Sequence, residues 1–223
     1  MADNYIQHVS GMAFRNTTRL DSAELMRLFA ESMAGWPLDK LAVWVRYTRG
    51  ADFSGTCYDA EGRIYVNIGR HVEYPYRIHT HIARSITTRR HWIKPLYTVE
   101  LIEPAQLAVF IFLHECYHWL VRRARRNRKQ KESMCDRFAT RFLVDRFGCV
   151  VRDERERPVA RETWDFQDLD RFVAAARRQP RVAVRRAVAA AAQAGEAALV
   201  PTPVSAKVTE PVETSGPQLM LFE

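Results

Sequence analysis

The segment from residue 104 to 126, PAQLAVFIFLHECYHWLVRRARR, limits the fold of this chain more than any other part. Pro104 suits the first turn of a helix, where its missing N–H group costs nothing. The first half of the segment is apolar nearly all round, which is typical of a helix buried on every side. We therefore predict one long helix that lies buried at the centre of the fold.

This helix carries His114, Glu115 and His118 in the pattern H-E-x-x-H. Helical spacing places the two imidazoles one turn apart on one face, where both reach a single Zn²⁺ ion. The alternative is a pair of core histidines with ordinary hydrogen-bond partners. Burying two imidazoles and a carboxylate without a metal, however, leaves costly polar groups. We predict one zinc ion bound by His114 and His118.

A catalytic zinc ion usually has three protein ligands and keeps a fourth position for water. All seven histidines lie at or before His118, so no downstream histidine completes a three-histidine site of the metzincin or SprT type. The next predicted helix begins KESMCDRFATRFL and places Glu132 and Asp136 on one face. Glu132 can bind the metal and Asp136 can orient a ligand imidazole. There are two alternatives: both acids lie on a solvent-exposed helix face, or Cys135 is a competing ligand.

The pattern HExxH followed by ExxxD on the next helix resembles the gluzincin metallopeptidases, especially the small minigluzincins, over residues 40–147. The resemblance implies that His114, His118 and Glu132 bind zinc and that Glu115 is the general base of peptide-bond hydrolysis. It also implies that Asp136 supports the zinc ligands without contacting the metal. Finally, it implies an edge strand beside the cleft that extended substrate can join. The segment RIYVNIG, residues 63–69, has the position and pattern for that strand.

One component of the family pattern is missing from this chain. Gluzincins commonly stabilise the oxyanion with a histidine or tyrosine after the third ligand, whereas no histidine or tyrosine follows His118 here. Other candidates for this role are Arg137, Arg141, Tyr65, Tyr74, Tyr76, His79 and His81. The last two also suit ordinary surface positions. The expected function is a zinc metalloendopeptidase that acts on proteins at DNA or the replication clamp. The alternative is a catalytically inactive, zinc-stabilised adaptor that binds DNA or the clamp.

The remaining periodicities predict an α+β fold of the zincin type. Residues 21–36 form an amphipathic helix, with Asp21 and Glu24 at capping-box spacing. Strands are expected at residues 41–50, 53–59 and 63–69, in a small, mainly antiparallel sheet packed on the central helix. In the last of these strands the period-two pattern leaves one face free.

Further helices are expected after the metal-binding pattern, and one segment has no clear pattern. A helix runs from about residue 131 to 147 and stops at Gly148, and helical stretches follow near 165–178 and 181–195. Residues 70–99 lack periodicity and are expected to form a loop with at most a short helix. The domain is predicted to span residues 1–195.

Residues 196–223 are rich in proline, serine, threonine and glutamate, which predicts a disordered tail. Near its end stands QLMLF, which resembles the QLxLF peptide by which bacterial proteins dock into the sliding clamp of DNA replication. Gln218, Leu219, Leu221 and Phe222 are therefore predicted to bind a bacterial-type clamp. An incidental apolar terminus is the alternative.

The net charge of +8 is concentrated in one short segment. Seven basic residues stand within ten positions that contain no acid, which suits a phosphate backbone: Arg122, Arg123, Arg125, Arg126, Arg128, Lys129 and Lys131. We predict DNA binding without sequence specificity through this basic cluster. A solvated helix end is the alternative.

The expected compartment follows from the N-terminus and the cysteines. No basic region followed by an apolar stretch opens the sequence, so neither export nor membrane insertion is expected. The four cysteines have no CxxC spacing, which is typical of reduced thiols in a cytoplasm.

Overall fold

A computed structural model of the protein describes residues 7–9, 11–89, 91–126 and 131–174. All structural statements below concern these ranges. The predicted helix at 181–195, the end of the helix predicted at 165–178, and the tail with its clamp-binding peptide lie outside the described residues.

The described ranges contain five helices and ten strands. The helices are α1 (Ser22–Ser32), α2 (Pro104–Arg123), α3 (Glu132–Phe147), α4 (Arg161–Trp164) and α5 (Leu169–Ala174). The strands are β1 (Gln7–Val9), β2 (Met12–Asn16), β3 (Ala42–Tyr47), β4 (Phe53–Tyr58), β5 (Arg63–Ile68), β6 (Tyr76–Thr80), β7 (Ile86–Thr87), β8 (Trp92–Ile93), β9 (Tyr97–Leu101) and β10 (Val151–Arg152). The fold is α+β, as the sequence predicts.

The main sheet has the strand order β1-β2-β3-β5-β4. Across all sheets five of the seven strand pairings are antiparallel, but β3 pairs with both β2 and β5 in parallel. The expectation that the strands at 41–50, 53–59 and 63–69 pair in an antiparallel sheet is therefore only partly correct. Strand β4 lies outside β5 in the sheet, so β5 fills the position beside β3 and runs in the same direction.

Strand β4, and not RIYVNIG, forms the edge of this sheet. Strand β5 is central and covered on both faces, because Ile64, Val66 and Ile68 face the core while Tyr65 and Asn67 are buried on the other side. The period-two pattern correctly identified a strand but wrongly predicted a free face, and the edge position implied by the resemblance to gluzincins is wrong for this strand. Which strand lies at the edge depends on pairing order, and periodicity does not encode that order.

Residues 70–99 form strands where a loop was expected. β6 pairs with β9 and β9 with β10 in a three-stranded antiparallel sheet, while β7 and β8 form a separate two-stranded hairpin. In β6 the buried Ile78 and Thr80 alternate with the exposed Arg77 and His79. This alternation covers only five residues and includes a polar residue on its buried face, which explains why the pattern was missed.

Helix α2 lies at the centre of the fold, as predicted, and nearly every residue from Ala105 to Val121 is buried. It packs against the main sheet, α1 and α3. The contact with α1 is aromatic: the rings of Phe29 and Phe112 stack with their centroids 4.1 Å apart. No helix in the described ranges is long and apolar enough to cross a membrane.

The predicted helix termini are found at three places. Asp21 caps α1, since its carboxylate accepts hydrogen bonds from the backbone N–H groups of Ala23 and Glu24. Pro104 begins α2, and Gly148 ends α3 in the left-handed conformation with φ of 68°. In the described part of the helix predicted from residue 165 there is only the short α5, which begins at Leu169, while α4 ends at Trp164, before that range.

We expect Phe29→Ala to destabilise the protein by about 3–5 kcal/mol, because it removes a buried ring stacked on the central helix. Urea unfolding monitored by circular dichroism measures this change. Arg27→Ala on the exposed side of the same helix is the control and should cost about 0.5 kcal/mol or less. Equal losses for the two variants would contradict a core role for the aromatic stack.

Candidate metal centre

Helices α2 and α3 bring together the residues of the predicted metal site. His114 and His118 project from α2 one turn apart, and Glu132 is the first residue of α3. The side chain of His114 is 7% exposed, that of His118 is 23% exposed and that of Glu132 is 39% exposed. The site therefore lies at the boundary between the core and solvent.

Three ligand atoms form a nearly equilateral triangle. His114 Nε2 lies 3.2 Å from His118 Nε2 and 3.2 Å from Glu132 Oε2, and His118 Nε2 lies 3.4 Å from the same oxygen. Zinc bonds of about 2.0–2.1 Å in a tetrahedron place neighbouring ligand atoms about 3.3–3.4 Å apart. The triangle thus matches one face of a tetrahedral zinc site, which leaves the fourth corner open.

Cys135 lies in the same region and extends the set of possible ligands. One nitrogen each of His114 and His118 and the Cys135 sulfur all lie within 4.8 Å of one another, so this group could hold a metal ion. Cys135 is fully buried, and burial raises the pKa of its thiol well above the usual range. Binding through sulfur would therefore require the loss of a tightly held proton.

Asp136 fixes the orientation of the first histidine. Its Oδ1 lies 2.8 Å from His114 Nδ1, and its Oδ2 accepts a hydrogen bond of 2.6 Å from the backbone N–H of His81. With Nδ1 paired to a carboxylate, Nε2 is directed toward His118 and Glu132, an arrangement common among metal-binding histidines. Asp136 thus contacts His114 through the nitrogen that faces away from His118 and Glu132, and its supporting role at a metal stays a prediction.

The electrostatics of the site favour a positive charge between the helices. Burial alone lowers the pKa of His114, but hydrogen bonds to Asp136 and Glu132 outweigh it and raise the pKa to about 10. Burial also raises the pKa of Glu132, yet its hydrogen bonds to the two histidines bring that pKa below the usual range. A divalent cation would satisfy the same carboxylates.

Glu115 is buried beside this triangle, with 7% of its surface exposed. Burial raises the pKa of its carboxyl group, and the charges of His114 and His118 partly oppose this. Within the described residues its carboxylate has no hydrogen-bond partner. A buried carboxylate without a partner is costly, so this state calls for a physical explanation.

Strand β4 brings its backbone close to Glu115 at Gly55. A Cβ atom on Gly55 would lie 2.2 Å from Glu115 Oε1 and 2.8 Å from Glu115 Cγ, so only glycine fits there without a shift. The sequence analysis did not single out Gly55. Its signal was present, because glycine inside a strand pattern often marks the close approach of another group.

A cleft between β4 and β6 is lined by His114 and Glu115 of helix α2. Its lining combines apolar and polar side chains: Phe53, Gly55, Ile78, His79, Phe110, Ile111, His114, Glu115 and Asp136. Strand β4 pairs only with β5 in the described part of the chain, so its outer edge has no strand partner. An unpaired edge is a template for an extended peptide.

Among the seven candidates for oxyanion stabilisation, only His79 lines this cleft. The other six have different surroundings. For example, the Tyr76 hydroxyl donates to Asp52, Arg141 pairs with Asp165, and Arg137 donates to the backbone carbonyl of Ile82. The cleft lining does not include Tyr65, Tyr74, Tyr76, His81, Arg137 or Arg141.

The basic cluster makes contacts within the protein. Arg122 pairs with Asp59 at 3.0 Å, the Arg123 guanidinium lies over the Trp119 ring, and Arg126 and Lys131 lie over the ring of Phe172. Arg125 has the left-handed φ of 55°. Arg128 and Lys129 lie outside the described residues. DNA binding by this cluster stays a prediction, and four of its members already have partners.

No protein-family model, curated protein or solved structure matches this chain. The resemblance to gluzincins rests on the residues themselves.

We expect Gly55→Ala to destabilise the protein by about 1–3 kcal/mol, because the added methyl group overlaps Glu115. In a Glu115→Ala background, which removes the atoms it would meet, the same change should be neutral or slightly stabilising. Urea unfolding of the four proteins of this cycle gives the coupling energy, expected at about 1–3 kcal/mol. Additive effects would show that Gly55 and Glu115 do not approach each other as described.

Proposed function

We propose that this protein is a zinc metalloendopeptidase of the gluzincin type, with a zincin-like fold. The observation that carries the proposal is the triangle of His114 Nε2, His118 Nε2 and Glu132 Oε2, which has the edge lengths of a tetrahedral zinc site. A donor set of two imidazoles and one carboxylate, with a fourth position open, is typical of catalytic zinc. The edge strand β4 beside helix α2 supports the zincin-like assignment.

The unpartnered carboxylate of Glu115 supports a hydrolytic role. Zinc at this position would lower the pKa of a water molecule and polarise a carbonyl group. Glu115 would accept the proton of the attacking water at its carboxylate and then donate it to the leaving amine. Burial raises the pKa of Glu115, which favours uptake of a proton by its carboxylate.

The cleft supports a peptide substrate. The outer edge of β4 offers backbone N–H and C=O groups, so an extended chain can add to the sheet there. Gly55 keeps that edge close to Glu115. Phe53, Ile78 and Phe110 give the cleft apolar walls, which suits a substrate with an apolar side chain next to the cleaved bond.

His79 is the best candidate for the missing oxyanion donor. It lies on β6, before the metal-binding helix, and lines the cleft together with Glu115 and His114. A ring N–H group aimed into the cleft could stabilise negative charge on the substrate oxygen. A donor that precedes the metal ligands in sequence departs from the usual gluzincin order.

The rival function is a zinc-stabilised adaptor, and the position of Cys135 is the observation that favours it. If the sulfur joined the two histidines and Glu132, the site would have four protein ligands, as structural zinc sites do. No position would then remain for water. Non-specific DNA binding by residues 122–131 and clamp binding by Gln218, Leu219, Leu221 and Phe222 are compatible with either function and stay predictions.

The first test is metal binding. We expect the purified protein to bind one zinc ion, Glu132→Ala to bind it far more weakly, and Asp136→Asn to lose about 10–100-fold in affinity. Cys135→Ser should leave zinc affinity nearly unchanged. Elemental analysis and competition with a chelating dye measure these values.

Cobalt substitution separates the two ligand sets. Cobalt bound through histidine and carboxylate lacks the strong near-ultraviolet charge-transfer band that a thiolate ligand produces. A strong band that disappears in Cys135→Ser would reject the open site and favour the adaptor. A protein without bound metal would reject both functions.

The second test is catalysis. We expect zinc-loaded protein to cleave an unfolded protein substrate and Glu115→Gln to lower the rate by about 10²–10⁴-fold while zinc stays bound. Glu103→Gln, just before the same helix, is the control and should behave like the wild type. Equal turnover by Glu115→Gln and the wild type would sink the proposed mechanism.

A further inference from the structure

The hairpin of β7 and β8 projects beside the metal centre and has no part in the proposed function. Ile86 pairs with Ile93 and Thr87 with Trp92. Its turn is closed by hydrogen bonds of 2.8 Å from the Thr88 N–H to the His91 carbonyl and 3.0 Å from the His91 N–H to Thr88 Oγ1. Every described residue from 84 to 93 is exposed. The hairpin is thus ordered by its own hydrogen bonds, and no other element of the described ranges covers it.

Its exposed side chains include the large apolar ones of Ile86, Trp92 and Ile93, at 53%, 62% and 45% of their surfaces. Trp92 is the most exposed of the five tryptophans. A two-stranded hairpin without a core is marginal in water, so these side chains do not stabilise the fold. Exposed aromatic surface of this kind is typical of a binding site.

The charged residues of the hairpin segment are all basic. Residues 84–94 include four arginines and lysines and no aspartate or glutamate. On the hairpin, Arg89 stands at the turn and forms no ion pair within the described part of the chain, while Arg84 lies over the Phe166 ring at 3.9 Å near the base. The exposed ring of Trp92 can stack on a planar base, and the cationic side chains of the same segment can attract the phosphates of a polyanion.

The base of the hairpin is attached to the metal centre. The His81 N–H donates to Asp136, and the Ile82 carbonyl accepts a hydrogen bond of 3.2 Å from Arg137, the next residue on α3. Asp136 in turn holds His114. A partner bound to the hairpin would therefore lie close to the cleft.

We infer that this hairpin binds single-stranded nucleic acid, with a base stacked on Trp92 and a phosphate beside Arg89. Stacking on an exposed ring needs an unpaired base, whereas the bases of a duplex are already stacked on each other and costly to separate. An anionic membrane surface fits less well. Membrane binding needs apolar residues on one face of the hairpin. Residues that pair across the two strands point to the same face, so Ile86 and Ile93 lie on one face and Trp92 lies on the other.

The test uses the full chain and a fluorescent oligothymidylate of about 20 nucleotides, long enough to cover the site sizes known for single-strand binding. Fluorescence anisotropy should show Trp92→Ala binding about tenfold or more weakly and Trp92→Phe retaining most of the affinity. Arg89→Ala should reduce the slope of log affinity against log salt by about 0.7, the value for one phosphate contact. Circular dichroism confirms that each variant is folded.

A double variant, Arg19→Ala with Ile102→Ala, is the matched control, since it removes one exposed arginine and one exposed apolar side chain far from the hairpin. It should bind like the wild type. Quenching of tryptophan fluorescence by the oligonucleotide should persist in Trp44→Phe and vanish in Trp92→Phe.

Three results would overturn the inference. The first is unchanged affinity in a variant combining Trp92→Ala and Arg89→Ala, which would place any nucleic-acid contact elsewhere on the chain. The second is Trp92-dependent binding to a duplex of the same length that is tighter than binding to the single strand. The third is binding to phosphatidylglycerol vesicles that depends on Trp92, without binding to the oligonucleotide. None of these measurements depends on zinc or peptidase activity.

Discussion

The contact between His114 Nδ1 and Asp136 Oδ1, 2.8 Å long and buried on both sides, holds the site together. It joins helix α2 to α3, and the second oxygen of Asp136 takes the His81 N–H, which attaches the base of the β7–β8 hairpin. Removing one partner would leave a buried charge or a buried imidazole without compensation, which is strongly destabilising. Helix α2, helix α3 and the segment at His81 come from different parts of the sequence, and the carboxylate of Asp136 connects all three.

The close approach of Gly55 to Glu115 is the second constraint, and it follows from strand order. Because β4 lies outside β5, the edge of the main sheet passes over the central helix at Glu115. That placement buries the carboxylate and raises its pKa, while the free edge of β4 borders the cleft. The position of β4 at the sheet edge thus explains both the burial of Glu115 and the presence of a free strand edge that an extended chain can reach.

The features predicted correctly from the sequence depend on nearby residues. Helices α2 and α3 were predicted with accurate ends because their signals are local. These signals are Pro104 at the start of α2, the HECYH spacing within it, and Gly148 at the end of α3. Strand β5 shows the limit of such signals. Its polar face looked free, but Asn67 is covered through hydrogen bonds with Arg46 and Ser54 on neighbouring strands. Those partners depend on pairing order, which local pattern does not contain.

In the proposed zinc site, burial would decide between two neighbouring candidates for the third ligand on one helix. Glu132 and Cys135 are three residues apart on α3 and both face the histidines. Glu132 is partly hydrated, and its lowered pKa keeps it ionised at neutral pH, whereas burial holds the proton on Cys135. In the proposed zinc site, the ion would gain an anionic ligand from Glu132 without first removing a proton. Ligation by His114, His118 and Glu132 would then leave a position beside Glu115 for a water molecule.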